Sequence, residues 1–377
     1  MSTLKVGGIR GVSASSDAIT VANDGTCTAN ITNNLSNRNL IINGGFQVFQ
    51  RSTSASGTGA SEGYFAPDRF RQAGTGSMRY TASQSTDVPA GYGFSNSLKY
   101  DCTTASGTVS AGHFVAIEHR LEGQDVQVFC KGTAQAKQYT ISFHVKSPKT
   151  GIHVVELYDN DNNRHVAKSY TISSADAWQK VTLTFPADTT GAFGNDNGSS
   201  LRIFFWLMAG TDFTGSTLPS AWASFSSTAR ATGQVNVFDS TSNDFFITGI
   251  QLEVGSVATD FEHRSFAQEL ALCCRYFYAA TDTIAGIFIP DNADQDAAYG
   301  GVQFPVIMRA APTVVFGDNA GNNAGVVTQH GAAHGIAAAA GDIGKHGIGR
   351  CQKSSGTWTI GSGYPIAAKI ASATAEL

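Results

Sequence analysis

Zinc-type chemistry needs imidazole and thiolate side chains held close together. One stretch of the chain collects them: His330, His334, His346 and Cys351. The residues around them, 317–349, are rich in Gly, Ala, Asn and His, with no helical repeat to put His330 and His334 on one face. Solvated loop histidines are the plainer reading; several copies gathering histidines on a shared axis is the sharper one. A second polar run, Asp159–Asn163 (DNDNN), imitates the first half of a calcium loop. Arg164 stands where such a loop needs glycine and Tyr170 where it needs a bidentate glutamate, so the run reads as a turn. No GxSxG elbow, HExxH helix, phosphate loop or dinucleotide fingerprint occurs. Paired carboxylates for glycoside cleavage would need a scaffold such as an elongated repeat β-helix, and no coil-length repeat is visible. A non-enzymatic protein is expected.

Aromatic rings are the other candidates. Trp178 precedes an alternating strand (AWQKVTLTF), where strand-end packing is expected, and Trp206 lies inside an apolar run, where core is the default. Trp222, in the loop-like LPSAWASFSS, is the stacking candidate of the middle region. Trp358, in GTWTIGSGY with Tyr364, serves either as core or as a platform.

The elements that must position these residues are mostly strands. Tyr139, Ile141, Phe143 and Val145 alternate with Thr140, Ser142, His144 and Lys146, as do Val181, Leu183 and Phe185 with Thr182 and Thr184. Leu201–Met208 is nearly continuously apolar, as in a central strand covered on both faces. The DNDNN turn joins Ile152–Tyr158 to His165–Ile172. Ile250, Leu252 and Val254 alternate with Gln251 and Glu253, which reads as a half-buried strand. Beyond Gly255 the spacing becomes helical at Phe266, Leu270, Cys273 or Cys274, and Phe277, with Ser265 and Gln268 placed for a capping box. Later runs at Thr283–Ile289, Gly300–Met308, Thr313–Phe316, Thr357–Ile360 and Ile366–Ala371 restart the β pattern. Residues 1–38 carry short β-like runs at Ala18–Val21 and Thr26–Ile31 and lack large aromatics, so one copy cannot build a core there.

Composition bounds the function. Charged residues are only 14% of the 377, against a norm of about 25%. A net charge of −4 gives no footprint for nucleic acid. No run of 18 apolar residues predicts membrane insertion, and MSTLKVGGIRGVSASSDA has no apolar signal region. Six scattered cysteines without CxxC spacing read as free thiols made in a reducing cytoplasm.

NLIINGGFQVFQRSTS followed by YFAPDRF (Tyr64–Phe70) resembles the opening of a carbohydrate-binding-module-like jelly roll of tailed-bacteriophage fibre proteins. The segment AWQKVTLTFPADTTGAFGNDNGSSLRIFFWLMAG, the run GIQLEVGSVATDFEHRSFAQELALC, FPVIMRAAPTVVF and the closing ATAEL resemble that family in order, and STLKVGGIRGVSASSDAITVANDGT resembles its leader. The resemblance implies an all-β homotrimer in the virion. Its parts would be an attachment arm or shaft (residues 1–38) that meets another virion protein, a jelly-roll β-sandwich (39–262), a linking helix (263–279) and a distal small β-sandwich (280–377). In the trimer, Leu270, Cys273 and Cys274 would pack against symmetry mates around the axis. Host-surface contact, with glycans as partners, would fall to the distal part, and the candidate ligand rings are Trp222 in the jelly roll and Trp358 and Tyr364 in the distal domain. Family jelly rolls often carry a structural calcium, and the matching polar positions here are Asn43, Asp244 and Glu253. No other cofactor is expected. A fibre or capsid decoration protein without ligand, and a glycan depolymerase, are the competing readings.

Overall fold

The computed structural model describes residues 6–13, 15, 17–21, 27–29, 37–280, 286–290, 297–317, 326–329, 332–335, 342–352 and 366–377. Three short strands, β1 (Gly8–Ile9), β2 (Ile19–Val21) and β3 (Cys27–Ala29), form an antiparallel meander near the N-terminus. Twelve strands follow: β4 (Ser54–Thr58), β5 (Phe70–Ala73), β6 (Arg79–Ser85), β7 (Ser97–Thr104), β8 (Phe114–Glu122), β9 (Tyr139–Lys146), β10 (Gly151–Asp159), β11 (Arg164–Ile172), β12 (Gln179–Phe185), β13 (Ser199–Ala209), β14 (Ala223–Ser224) and β15 (Asp244–Val254). They make two six-stranded antiparallel sheets packed face to face. Sheet one runs β14-β11-β10-β13-β8-β5 and sheet two β12-β9-β15-β7-β6-β4. This is a jelly-roll-like β-sandwich.

Alternation explains both sheets. Tyr139, Ile141, Phe143 and Val145 of β9 turn inward and are fully buried. Facing them, Ile203, Phe205 and Leu207 of β13 fill the other half of the core. Phe143 and Phe205 meet edge to face, with centroids 5.2 Å apart, and each such buried ring contributes about 1.5–3 kcal/mol. As expected, β13 is a central strand covered on both faces, and DNDNN closes the β10–β11 hairpin. The half-buried reading of β15 is corrected: Gln251 and Glu253 are buried too. Residues 256–262 fold over that face, where Gln251 Nε2 donates to Glu253 (3.0 Å) and to Thr259 (3.1 Å), and Glu262 N–H donates back to Gln251 (2.9 Å). Polar letters here marked a hydrogen-bonded interior layer rather than solvent.

The entering segment locks onto β15. Asn39 accepts from the Ile41 and Leu252 amides and donates to the Ile250 carbonyl. Gly44 lies so close that a Cβ would stand 2.1 Å from the Ile250 oxygen. Helix α1 (Phe266–Cys274) has the expected capping box, with Ser265 and Gln268 satisfying each other's amides. It packs onto the same segment through Glu269, which accepts from the Asn43 amide, and Arg264, which donates to the Asn39 and Ile41 carbonyls. Cys273 and Cys274 are buried against the helix's own chain. That corrects the expectation that these two face symmetry mates; Leu270 is half-buried, and the large exposed apolar residues of α1 are Phe266 and Leu272.

Beyond α1 come β16 (Phe277–Tyr278), β17 (Gly286–Pro290), β18 (Ala297–Gln303), β19 (Thr313–Gly317), β20 (Val326–Gln329), β21 (Ala332–Gly335), β22 (Gly347–Gln352) and β23 (Ile366–Thr374). A two-sheet domain was expected here. Among the described residues the strands join through β23, which pairs with β17 and β20 along its first half and with β16 and β19 along its second. The expected strand at Thr357–Ile360 lies outside the described residues.

The two β regions meet through arginines. Arg69, buried, stacks 3.4 Å over Tyr276 and pairs with Glu376. Arg51 joins Asp68 (3.0 Å) to Glu376 (2.8 Å), and Arg120 donates to the Leu377 carbonyl (2.6 Å). Burial pushes the Asp68 carboxyl up to about 7 against the pull of Arg51. Arg275 pairs with Glu122 from the helix end (2.7 Å). The PDRF and ATAEL motifs, about 300 residues apart (from Asp68 to Glu376), are thus two halves of one ionic junction.

Candidate functional site

On the outer face of sheet one, β-register places side chains in rows. One row runs Ala167, Glu156, Phe204, Glu118, Arg71; the next runs His165, Tyr158, Arg202, Arg120. A third row, Val154, Trp206, Ala116 and Ala73, is apolar and lies beneath the 211–232 segment, with Phe213, Leu218 and Ala231 on top. Where that cover stops, a cavity of about 140 Å³ opens, lined by Glu62, Ala73, Phe114, Tyr158, Arg202, Phe204, Phe225 and Arg230.

Each charge in this pocket is held. Glu118, fully buried, accepts from Arg71 (2.8 Å), Arg120 (2.8 Å) and Arg202 (2.5 Å). Burial pushes its carboxyl up, but the guanidiniums of Arg120 and Arg202 outweigh that and hold it below the usual carboxylate range. Glu156, also fully buried, takes Arg230 Nε (3.0 Å), His165 Nδ1 (3.0 Å) and the Trp206 indole N–H (3.3 Å). Glu62 at the rim pairs with Arg71 and accepts from the Gly74 amide (2.7 Å). Four guanidiniums (Arg71, Arg120, Arg202, Arg230) face three carboxylates (Glu62, Glu118, Glu156), so one positive charge remains.

The rings are ordered by the same groups. Arg230 lies 4.9 Å from the centroid of Phe204, 4.8 Å from Trp206 and 5.4 Å from Phe225. Tyr158 meets Phe225 edge to face at 5.2 Å, and its hydroxyl donates to Asn163 (2.9 Å). Phe204 floors the pocket, Tyr158 and Phe225 wall it, and Arg202 stands above Phe204 at 5.0 Å. Only Nε of Arg202 is hydrogen-bonded among the described residues, which leaves its two terminal nitrogens as donors. Apolar ring faces beside fixed donors suit a polyhydroxylated ring or an anionic group carried on one.

The residues singled out from sequence lie elsewhere. Trp222 is buried in the core; its indole N–H donates to the Pro186 carbonyl (2.9 Å) and its ring lies 5.3 Å from the ammonium of buried Lys131. A stacking platform it is not: the loop-like sequence around it folds inward to shield the Lys131–Asp159 pair. Trp358 and Tyr364 lie outside the described residues. Asn43, Asp244 and Glu253 do not converge. Asp244 and Glu253 end opposite halves of β15, about 25–30 Å apart at strand rise. Asn43 is spent on its own turn, accepting from Gln47 and Val48 and donating to Val48 and Asp68 carbonyls. Asp244 pairs with Lys99 (3.5 Å), and Glu253 accepts from Thr259. A common calcium site on these three is ruled out by that separation. Among the described residues no group of three metal-type ligands occurs. His330 lies outside them, His346 is exposed and Cys351 is buried. Trp178 packs at a strand end as expected, its N–H on Asp87 (2.8 Å). Trp206 is buried. Sequence reading missed Arg202, Tyr158 and Glu118. The usable signal was Arg202 within LRIFFWLM, a charge inside a run otherwise fit for burial.

Comparison with known proteins gives the fold a context. No family model and no curated protein matches the chain. Among solved structures, it is similar to the enzymatically active domain of tailspike protein 4 of bacteriophage CBA120, at 14% identity and a TM-score of 0.30, covering 57% of this chain and 21% of that one. It is similar to a family 4 carbohydrate-binding module at 14% identity, covering 56% of this chain and 97% of the module, TM-score 0.29. A family 11 module from Clostridium thermocellum, in complex with a β-1,3-1,4-mixed-linked tetrasaccharide, is 12% identical, with 51% and 91% covered and a TM-score of 0.27. The chain is thus distantly similar in structure to carbohydrate-binding modules and to a phage tailspike domain, and spans about a fifth of the latter's length. Cys102, Cys130, Cys273, Cys274 and Cys351 are free thiols. No helix among the described residues is long and apolar enough to cross a membrane.

Proposed function

We propose that this chain is a virion fibre protein of a tailed phage that holds a host-surface glycan in the Tyr158–Arg202–Phe204–Phe225 pocket of its sandwich. One observation carries the reading: ring faces and uncommitted guanidinium donors converge on one cavity of the outer sheet face. The proposed site lies in the sandwich, before helix α1, whereas the sequence pointed mainly to the distal part, where Trp358 and Tyr364 lie outside the described residues. Binding rather than hydrolysis is the chemistry. Glu118 and Glu156 flank β13, about 10 Å apart across two strand spacings, and both are committed to cations, with no carboxyl left to trade protons. Assembly as a homotrimer, with residues 1–38 toward another virion protein, completes the proposal. Leu272 and Ile307, exposed along a groove of about 630 Å³ beside α1, would lie between copies; three weak sites on one particle raise avidity. Particle mass tests this part, since a mass equal to one chain would refute the trimer.

For the site, host polysaccharide fragments are titrated calorimetrically into the full chain. Arg202→Ala and Tyr158→Ala should each weaken binding by about tenfold or more; Arg202→Ala also takes one of three arginines from buried Glu118, so its binding is measured below its lowered thermal midpoint. The ligand-free structural reading draws support from Arg230, which already occupies the centre of the ring cluster. It wins if neither variant alters adsorption.

A further inference from the structure

The opposite outer face, on sheet two, holds a second cavity with different chemistry. Thr140, Ser142 and His144 of β9 point away from the core, and register sets His144 between Lys180 of β12 and Thr248 of β15. Segments 86–96 and 256–264 cover this face, leaving a cavity of about 330 Å³ lined by Tyr92, Ser142, His144, Lys180, Asp260 and His263, among others. That volume falls in the range of small-ligand sites.

His144 is the unusual member. It is 4% exposed, and neither ring nitrogen has a hydrogen-bond partner among the described residues. Buried polar atoms are nearly always paired, so an orphaned imidazole in a cavity wall calls for a partner that enters the cavity. Tyr92 is its cover: the phenol ring centres 4.3 Å from the imidazole and is 47% exposed. Its main chain is fixed independently, because His263 Nε2 lies 2.9 Å from the Tyr92 carbonyl. Gly249 makes room at the base, at φ +64 beside the β15 bulge. Burial, and behind it the charge of Lys180, lowers the His144 pKa to about 4, so the ring is neutral at pH 7 and offers one donor and one acceptor. Lys180 and Asp260 add one cation and one anion at the rim. A hydroxyl both donates and accepts, so a neutral polyol matches this set, whereas a charged ligand would meet one like charge.

We propose that this cavity is a second, independent ligand site, which takes a neutral polyhydroxylated ring such as one hexose unit, with His144 as hydrogen-bonding floor and Tyr92 as covering ring. It differs from the arginine-rich pocket on sheet one in face, charge and ligand. The test is NMR of the full chain labelled at histidine ring carbons, titrated separately with glucose, galactose, N-acetylglucosamine and glucuronate. Saturable shifts of the His144 signals with a neutral sugar, weakened about tenfold in Tyr92→Ala and unchanged in Arg202→Ala, are expected. Lys180→Met, at an exposed position, should also weaken binding and serves if Tyr92→Ala fails to fold. No saturable His144 shift with any neutral sugar, or a shift with glucuronate alone, overturns the site. So does a shift that survives Tyr92→Ala and Lys180→Met unchanged. Loss of glycan binding at the first pocket alone leaves these His144 signals untouched, so the two proposals fail separately.

Discussion

The two outer faces of the sandwich solve one problem in opposite ways. Each is built by strands that turn polar residues outward, mixed with apolar ones on sheet one, and each is then covered by chain. On sheet one the buried charges are paired to completion, with Glu118 under three arginines and Glu156 under Arg230 and His165. On sheet two the buried polar residue His144 is neutral and left without a hydrogen bond beneath Tyr92. A paired charge cannot be removed singly without stranding its partners, whereas an unpaired neutral group costs stability where it stands. Removing the buried polar group should therefore cost much on sheet one and little on sheet two.

The largest effect is expected at Glu118. Glu118→Ala strands three guanidiniums and should destabilise the chain by about 3–5 kcal/mol in denaturant unfolding. A loss below about 1 kcal/mol would show the network to be solvent-screened and erase the contrast. Acid comes second. Burial holds His144 and His153 down to about 4, and His119 well below the usual histidine value. Unfolding lets all three take protons near 6.5, so the unfolded chain binds more protons between pH 4 and 6.5 and stability falls as pH drops through that window. Asp68, raised to about 7 by burial, works the other way: its contribution is complete below about 4 and fades as pH rises through 7. Asp125 and Asp244, also raised by burial, lean with Asp68, while Glu118, Glu122 and Asp188, held low by their cations, lean with the three histidines, so the thermal midpoint should climb by several degrees from pH 4 to 6.5. A flat profile would mean that the histidines are solvated. The smallest effect sharpens the comparison most. His144→Phe removes an orphaned group and should leave stability within about 1 kcal/mol of the parent, on either side. His165→Phe, which strips a partner from Glu156, should cost about 1–3 kcal/mol. Equal losses would place both histidines in the same class.

Much of this architecture was legible in the residues. Strict alternation from Tyr139 to Val145 gave β9 its inward face, and Ser265 with Gln268 announced α1 because a capping box is local chemistry. The misreadings share one cause. Periodicity tells that two faces differ but not what covers the polar one, so Gln251 and Glu253 read as half-exposed when residues 256–262 bury them. Trp222 sat in a stretch of loop letters, yet its fate was decided by Lys131, 91 residues earlier in sequence. The pocket on sheet one was hidden for the same reason, since Tyr158, Arg202 and Phe225 come from three separate segments that only register and the 211–232 cover bring together.

Strand β15 sits between β7 and β9 in sheet two although it is the last sandwich strand in the chain. During synthesis, 108 residues separate the end of β9 at Lys146 from the end of β15 at Val254. At about 5–20 residues per second, the two flanking strands wait about 5–20 s with facing edges open. For that interval the half-made sandwich is a template for any stray strand, including the same segment of a neighbouring nascent copy.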